Sequence, residues 1–154
     1  MEAEQFTQAR EFAELAINSY PNSNLEDYFQ LQLALCLFET KEVRKSKEIY
    51  CRLLNEYPDS KYKDEALCQL LDEVKFYSYR NRQAALDEIN NLKKYTTNST
   101  TKAYLIITTA ETYYLDGQYD KAIDKYNLLL DIYPESVSIL HAQKRIKECK
   151  ELSN

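Results

Sequence analysis

Apolar residues recur three and four positions apart on both sides of each of three Tyr-Pro boundaries, the spacing of one face of an α-helix. From Ile49, the run Leu53, Leu54, Tyr57 marks one buried stripe. Pro58 cannot continue that helix, because it lacks an N–H and clashes with the preceding turn, and Ser60 has an oxygen that can cap the next by accepting a free backbone N–H. Ala66, Leu67, Leu70, Leu71, Val74 and Tyr77 form the following stripe, and Ala85, Leu86, Ile89 and Leu92 the one after. The pattern predicts eight helices, over about residues 2–19, 25–39, 42–56, 61–77, 81–95, 101–116, 119–132 and 136–152.

The boundaries themselves repeat. Tyr-Pro-x-Ser stands at Tyr20–Ser23, Tyr57–Ser60 and Tyr133–Ser136, and the second interval is close to twice the first. A fourth place midway through that longer interval, at Tyr95, keeps the Tyr and loses the Pro to Thr96. Residues 50–60 and 126–136 share Tyr, Leu, Leu, Tyr, Pro and Ser at matching positions. The chain therefore reads as one domain over residues 1–154: a half repeat at 2–23, helical hairpins at 24–60, 61–98 and 99–136, and a terminal helix at 136–152. A pair of short helices cannot bury its stripe alone, so neighbouring hairpins are expected to stack into an elongated, curved, all-α solenoid.

Composition agrees with helices joined by short turns. The 154 residues include one Gly, three Pro and fourteen Tyr, which leaves little material for hairpin turns or phosphate-cradling loops. Hydrophobic residues are 44% and charged residues 29%, values that fit a folded soluble domain. The net charge of −5 disfavours attraction to nucleic acid or an anionic membrane and mildly prefers basic partners. Acidity concentrates at the start, with 6 basic and 11 acidic groups in residues 1–60.

Cys36, Cys51, Cys68 and Cys149 form no C-x-x-C pair and share the chain with a single His, so no metal site and no cofactor is expected. They read as buried, reduced thiols, which favours a reducing compartment such as the cytoplasm; a periplasmic location stays open if a signal segment has been removed. No apolar run approaches the length of a membrane-spanning helix and the start lacks a basic, then apolar, stretch, so neither membrane insertion nor a signal peptide is expected.

Residues 103–134, with Ala110, Tyr113, Gly117, Tyr119, Ala122, Tyr126 and Pro134, resemble a tetratricopeptide repeat (TPR). The resemblance implies a right-handed superhelix of antiparallel helices in which Ala110 and Ala122 allow close helix approach, Gly117 relaxes the inter-helix turn and Pro134 closes the unit. Residues 24–60 resemble it more loosely, with Leu33, Ala34, Leu37, Tyr50 and Pro58 but Ser46 in place of Ala and Lys41 in place of Gly. Residues 61–98 depart furthest, with a longer turn around 78–82. The form at Ala122–Ser136 is similar to the bacterial subgroup found in outer-membrane-assembly lipoproteins and Tol-Pal-associated periplasmic coordinators, and also to long bacterial repeat proteins of cytoplasm and envelope.

In that family the first helix of each hairpin lines a concave groove where peptides or partner helices dock. Carried over by alignment, the lining is Tyr28, Leu31, Leu35 and Phe38, then Glu65, Cys68, Asp72 and Lys75, then Tyr104, Ile107, Glu111 and Tyr114, with His141 and Lys144 on the last helix. Tyr suits such a surface, offering a large stiff contact area and a hydroxyl, although Leu31, Leu35 and Ile107 read first as packing residues and Tyr28, Tyr104 and Tyr114 read equally as packing or lining. The Lys and Asn that hold a chaperone-tail carboxylate in some members are replaced by Leu31/Leu35, Cys68/Asp72, Ile107/Glu111 and Lys144/Glu148. No G-x-S-x-G, H-E-x-x-H or Gly-rich loop occurs, and His141 is the only imidazole. The expected function is noncatalytic binding of a protein or peptide. The competing expectation is a structural segment of a larger array, or a scaffold that self-associates through its end helices.

Overall fold

The computed structural model describes residues 2–77 and 81–153. Among them every regular element is helical: α1 (Glu2–Ser19), α2 (Glu26–Glu39), α3 (Val43–Glu56), α4 (Lys63–Tyr77), α5 (Arg82–Leu92), α6 (Ser99–Leu115), α7 (Tyr119–Ile132) and α8 (Ile139–Leu152), with a single 3₁₀ turn at Lys93–Tyr95. This is the all-α architecture that the periodicity implies, in the TPR-like form that the resemblance implies. Repetition carries through to the backbone, since α3 and α7 are both 14 residues long and each ends on the residue before the Tyr of a Tyr-Pro boundary.

Four ends lie two or more residues from expectation: the start of α4, at Lys63 instead of 61, and three with a local cause in capping or turn bonds. α6 starts at Ser99 because Asn98 and Thr101 form a reciprocal capping box, in which Asn98 Oδ1 accepts from the Thr101 N–H at 2.9 Å. α5 stops at Leu92, and the 3₁₀ turn replaces its expected last turn. α8 starts at Ile139 because two successive turns, Ser136 N–H to Tyr133 carbonyl and Ile139 N–H to Ser136 carbonyl, follow Pro134. Ser60 behaves differently from the expected helix cap. It accepts from the Tyr62 N–H at 3.1 Å, inside the turn before α4, and donates to Asp27 Oδ2 at 2.6 Å. The longer turn expected around 78–82 falls largely on residues 78–80, outside the described residues; Asn81 beyond it caps α5 by accepting from the Ala84 N–H at 3.0 Å.

Backbone packing divides the chain into two compact units, one ending at Glu73 and one beginning at Val74. In the first, α1 packs on α2 and α2 on α3, with Ala13, Leu33 and Leu37 in the core and Ile17 and Ile49 against it. Arg10 joins Glu14 on its own helix and Glu42 at the start of α3, fastening α1 to the hairpin. Ser46, where the repeat usually has Ala, is fully buried: its Oγ lies 2.8 Å from the Ala34 carbonyl and 2.5 Å from Glu73 Oε1, which satisfies the hydroxyl.

In the second unit α5 packs on α6, α6 on α7 and α7 on α8. Its core joins Ala103, Ile107, Ala110, Ala122, Tyr126, Leu129, Ala142 and Cys149. Ala110 and Ala122 are fully buried, so no long side chain separates the two backbones there. Gly117 has φ +72°, the left-handed conformation that the short turn between α6 and α7 requires. Lys41, its counterpart in the turn between α2 and α3, holds the same region at φ +68° despite carrying a Cβ.

Candidate functional site

Residues 104, 107, 111 and 114 of α6 are spaced by three and four, which places them on one face of the helix. Across that face lies α8. Glu111 is only 8% exposed, and its carboxylate is held by donors from two helices: Tyr126 OH on α7 at 2.5 Å, and His141 Nε2 at 2.8 Å and Arg145 Nε at 3.3 Å on α8, with Arg145 Nη2 at 3.4 Å from the other oxygen. A carboxylate oxygen can only accept, so His141 Nε2 carries the proton. Burial by itself would push the Glu111 carboxyl up; the hydrogen bonds from Tyr126 and His141 and the Arg145 charge outweigh it and hold the group below the usual carboxylate range. The Tyr126 hydroxyl is driven strongly upward, first by burial and then by the bond it donates to Glu111.

Arg145 extends this network to the surface. Its Nη1 donates to Glu148 Oε2 at 2.8 Å, its guanidinium sits 4.2 Å from the Tyr114 ring centre, and the Tyr114 hydroxyl lies 3.5 Å from Glu148. Tyr114 also leans on Tyr119 of α7, ring centres 5.9 Å apart. Three helices are thus tied through side chains that leave the half-buried Tyr114 fixed at the surface. Glu111 is saturated with donors, so it serves as a strut that orients its neighbours.

The corresponding helix of the first unit carries an aromatic ladder. Tyr28, 36% exposed, meets Phe29 at 5.5 Å and Tyr62 at 5.4 Å, and Phe29 meets Phe12 of α1 at 6.0 Å. Lys61 Nζ lies 5.0 Å over the Tyr62 ring. Edge-to-face and tilted contacts of this kind stiffen the rings by about 1 kcal/mol per pair.

The lining positions carried over from the repeat alignment therefore fall into distinct places. Leu31 (1% exposed) and Ile107 (7%) are core residues, which is the packing alternative raised for them. Glu111 is buried inside the α6–α8 network. Leu35, Phe38, Cys68, Asp72, Lys75, Tyr104 and Tyr114 are half-buried, while Tyr28, Glu65, His141 and Lys144 lie nearer the solvent. The alignment gave Tyr126 only as a repeat residue and Glu148 only as half of a replaced clamp pair, and it did not place them or Arg145, which hold the network, or Phe29 and Tyr62, which extend the ladder, in the lining. One signal was available: an acid at 111 within the apolar stripe Ile107, Ala110, Tyr114 demands buried donors, and Arg145 and Glu148 stand at the spacing of a helical ion pair.

None of the four cysteines forms a disulfide; Cys36 and Cys149 are buried, Cys51 and Cys68 half-buried. Among the described residues no helix is long and apolar enough to cross a membrane. The model of the tetratricopeptide repeat family matches residues 28–60, from α2 through α3, and residues 108–136, from α6 through α7. No curated protein matches the chain.

Proposed function

We propose that this chain is a noncatalytic TPR interaction module, its three repeats at 24–60, 61–98 and 99–136 forming one domain, and that it binds an extended or helical segment of a protein partner. The observation that carries this reading is the paired treatment of first-helix tyrosines. Tyr28 is braced by Phe29 and Tyr62, and Tyr114 by Arg145, Glu148 and Tyr119, so that large amphipathic rings are held at the surface with their rotamers already restricted. Pre-ordering of this kind lowers the entropy lost on binding. Tyr104 and Tyr114 on the α6–α8 face contact the partner, with Tyr28, Leu35, Phe38, Asp72 and Lys75 contributing from the other first helices. The Ala122–Ser136 form supports kinship with the bacterial envelope-assembly subgroup, while the four free cysteines favour a reducing compartment.

The test uses peptides selected on the full chain from a random display library. A Tyr104→Ala/Tyr114→Ala double variant that keeps its helical circular dichroism should bind them at least about tenfold more weakly, given what aromatic anchors contribute. Unchanged affinity would remove this face from the reading.

A second reading has its own support. α1 exposes Phe12 and Leu15 beside Glu4 and Glu11, and α8 exposes Leu140 beside Lys144 and Lys147. Residues 1–73 carry 8 basic and 15 acidic groups, net −7, against 12 basic and 10 acidic, net +2, in residues 74–154. Head-to-tail association of copies would pair these faces. Light scattering across concentration and salt distinguishes it, because a strict monomer at high concentration and low salt contradicts it.

A further inference from the structure

A cavity recurs in both units at the same place in the repeat, between the start of a first helix and the Tyr-Pro-x-Ser turn that closes the hairpin. It measures about 340 Å³ in the first unit and about 300 Å³ in the second. Every lining position of the first cavity has a counterpart in the second when the Tyr-Pro-x-Ser turns are aligned, and Tyr104, Val137 and Ser138 line the second in addition. Asn24, Asp27 and Glu56 of the first unit become Thr100, Ala103 and Ile132 of the second.

Those changes alter what the cavity can hold. In the first unit Asp27 reaches across and accepts from Ser60 Oγ at 2.6 Å, so the chain bridges its own cavity with a carboxylate. The second unit retains the rest of that geometry. Ser136 Oγ accepts from the Ser138 N–H at 3.3 Å, as Ser60 Oγ accepts from the Tyr62 N–H at 3.1 Å. At the position of Asp27, however, the second cavity is lined by Ala103, whose methyl cannot accept a hydrogen bond. Two of the three carboxylates are gone, Glu135 keeping the place of Asp59, and the lining now includes Tyr104, Ile132 (54% exposed) and Val137 (fully exposed). Tyr104 also belongs to the α6 face described above, so the cavity opens beside the proposed contact surface.

We infer that this cavity receives a bulky apolar side chain, leucine or aromatic, from the protein segment that docks on the α6–α8 face. The inference rests on the interaction-module reading and specifies one of its contacts. Apolar walls supply the driving force, since a leucine or phenylalanine side chain seated against Ala103, Tyr104, Ile132 and Val137 removes apolar surface of both from water. A volume of about 300 Å³ is at the lower bound for small-ligand pockets and suits one side chain rather than a whole cofactor. The Ser136 and Thr100 hydroxyls at the rim can serve the partner's backbone.

The experiment titrates the full ¹⁵N-labelled chain with N-acetyl-leucinamide and N-acetyl-phenylalaninamide, taking N-acetyl-lysinamide as control. Fragments of this size bind in the millimolar range, so concentrations up to about 20 mM are required. Saturable shifts are expected at the amides of Ala103, Ser136 and Val137 with the apolar probes and not with the lysine probe. Ala103→Asp installs the bridge that the first unit already tolerates, and Ile132→Glu installs the residue that stands there; each should weaken the response about tenfold while the rest of the spectrum stays folded. No saturable shift with either apolar probe, an equal response to the lysine probe, or an undiminished response in both folded variants would overturn the inference. A display-selected peptide weakened by Tyr114→Ala but indifferent to Ala103→Asp would also overturn it while leaving the interaction-module reading in place. Indifference to both would remove that reading, and the fragment titration would then judge the cavity alone.

Discussion

The hydroxyl of Tyr126 on α7 donates to the carboxylate of Glu111 on α6 at 2.5 Å, in the interior of the second unit. Both residues are buried, Tyr126 completely. The same carboxylate takes His141 and Arg145 from α8, so one acid couples three helices. Tyr126→Phe keeps the ring packing and removes one donor to a buried charge; it should lower the unfolding free energy by about 1–2 kcal/mol in urea titrations. An unchanged midpoint would show that the bond contributes nothing net.

The coupling also fixes a pH dependence. Because the native Glu111 carboxyl lies below its unfolded value, its contribution to stability is present above about pH 4.3 and is lost as pH falls through the native value. Glu111→Gln should therefore cost stability at pH 7, and the difference from wild type should shrink as pH falls below about 4.3, through the lowered native value. Glu148 and Glu42, also held low by neighbouring cations, act with the same sign and steepen the acid limb of both proteins. A difference that stays constant with pH would contradict the assignment.

Lys41 and Gly117 test the turn. Both occupy the left-handed region, and a Cβ on Gly117 would meet nothing within 4 Å, so backbone strain alone separates the two residue types there. Lys41→Gly should stabilise the first unit and Gly117→Ala destabilise the second, each by about 1 kcal/mol, read from chemical unfolding.

Thiol labelling gives a fourth check. Burial pushes the Cys36 and Cys149 thiols upward, and burial together with Asp72 and other acids pushes Cys68 up to about 11. The raised Cys68 value stabilises the native state below about pH 8.5 and loses that contribution as pH climbs toward 11. Iodoacetamide at pH 8 should leave these three cysteines mostly unmodified in the native chain and label all of them in urea, as read by peptide mass spectrometry. Rapid native labelling of Cys36 or Cys149 would contradict their burial.

Much of this fold was legible from residue spacing, because the features that set it are local. Pro58 and Pro134 stop helices by covalent geometry, and apolar spacing marks the buried faces, so α1, α2, α3 and α7 begin and end at or beside the expected positions. The reciprocal cap of Asn98 and Thr101 and the turn bonds of Ser60 involve side-chain choices that periodicity does not encode. The α6–α8 network was less accessible still. Glu111 finds Tyr126 on the next helix and Arg145 on the one after, and only the folded hairpin brings them together. Leu31 and Ile107 show the converse problem, since a position that faces the groove in a repeat alignment can be filled by a side chain that turns into the core.

The central claim, that partners dock on the first helix of each hairpin, is tested most directly by mapping where a display-selected peptide binds. Amide hydrogen exchange of the full chain with and without that peptide would locate protection on α2, α4, α6 and α8, including the segments around Tyr28, Tyr104 and Tyr114. Protection confined to α3, α5 and α7, with those tyrosine segments unchanged, would contradict it.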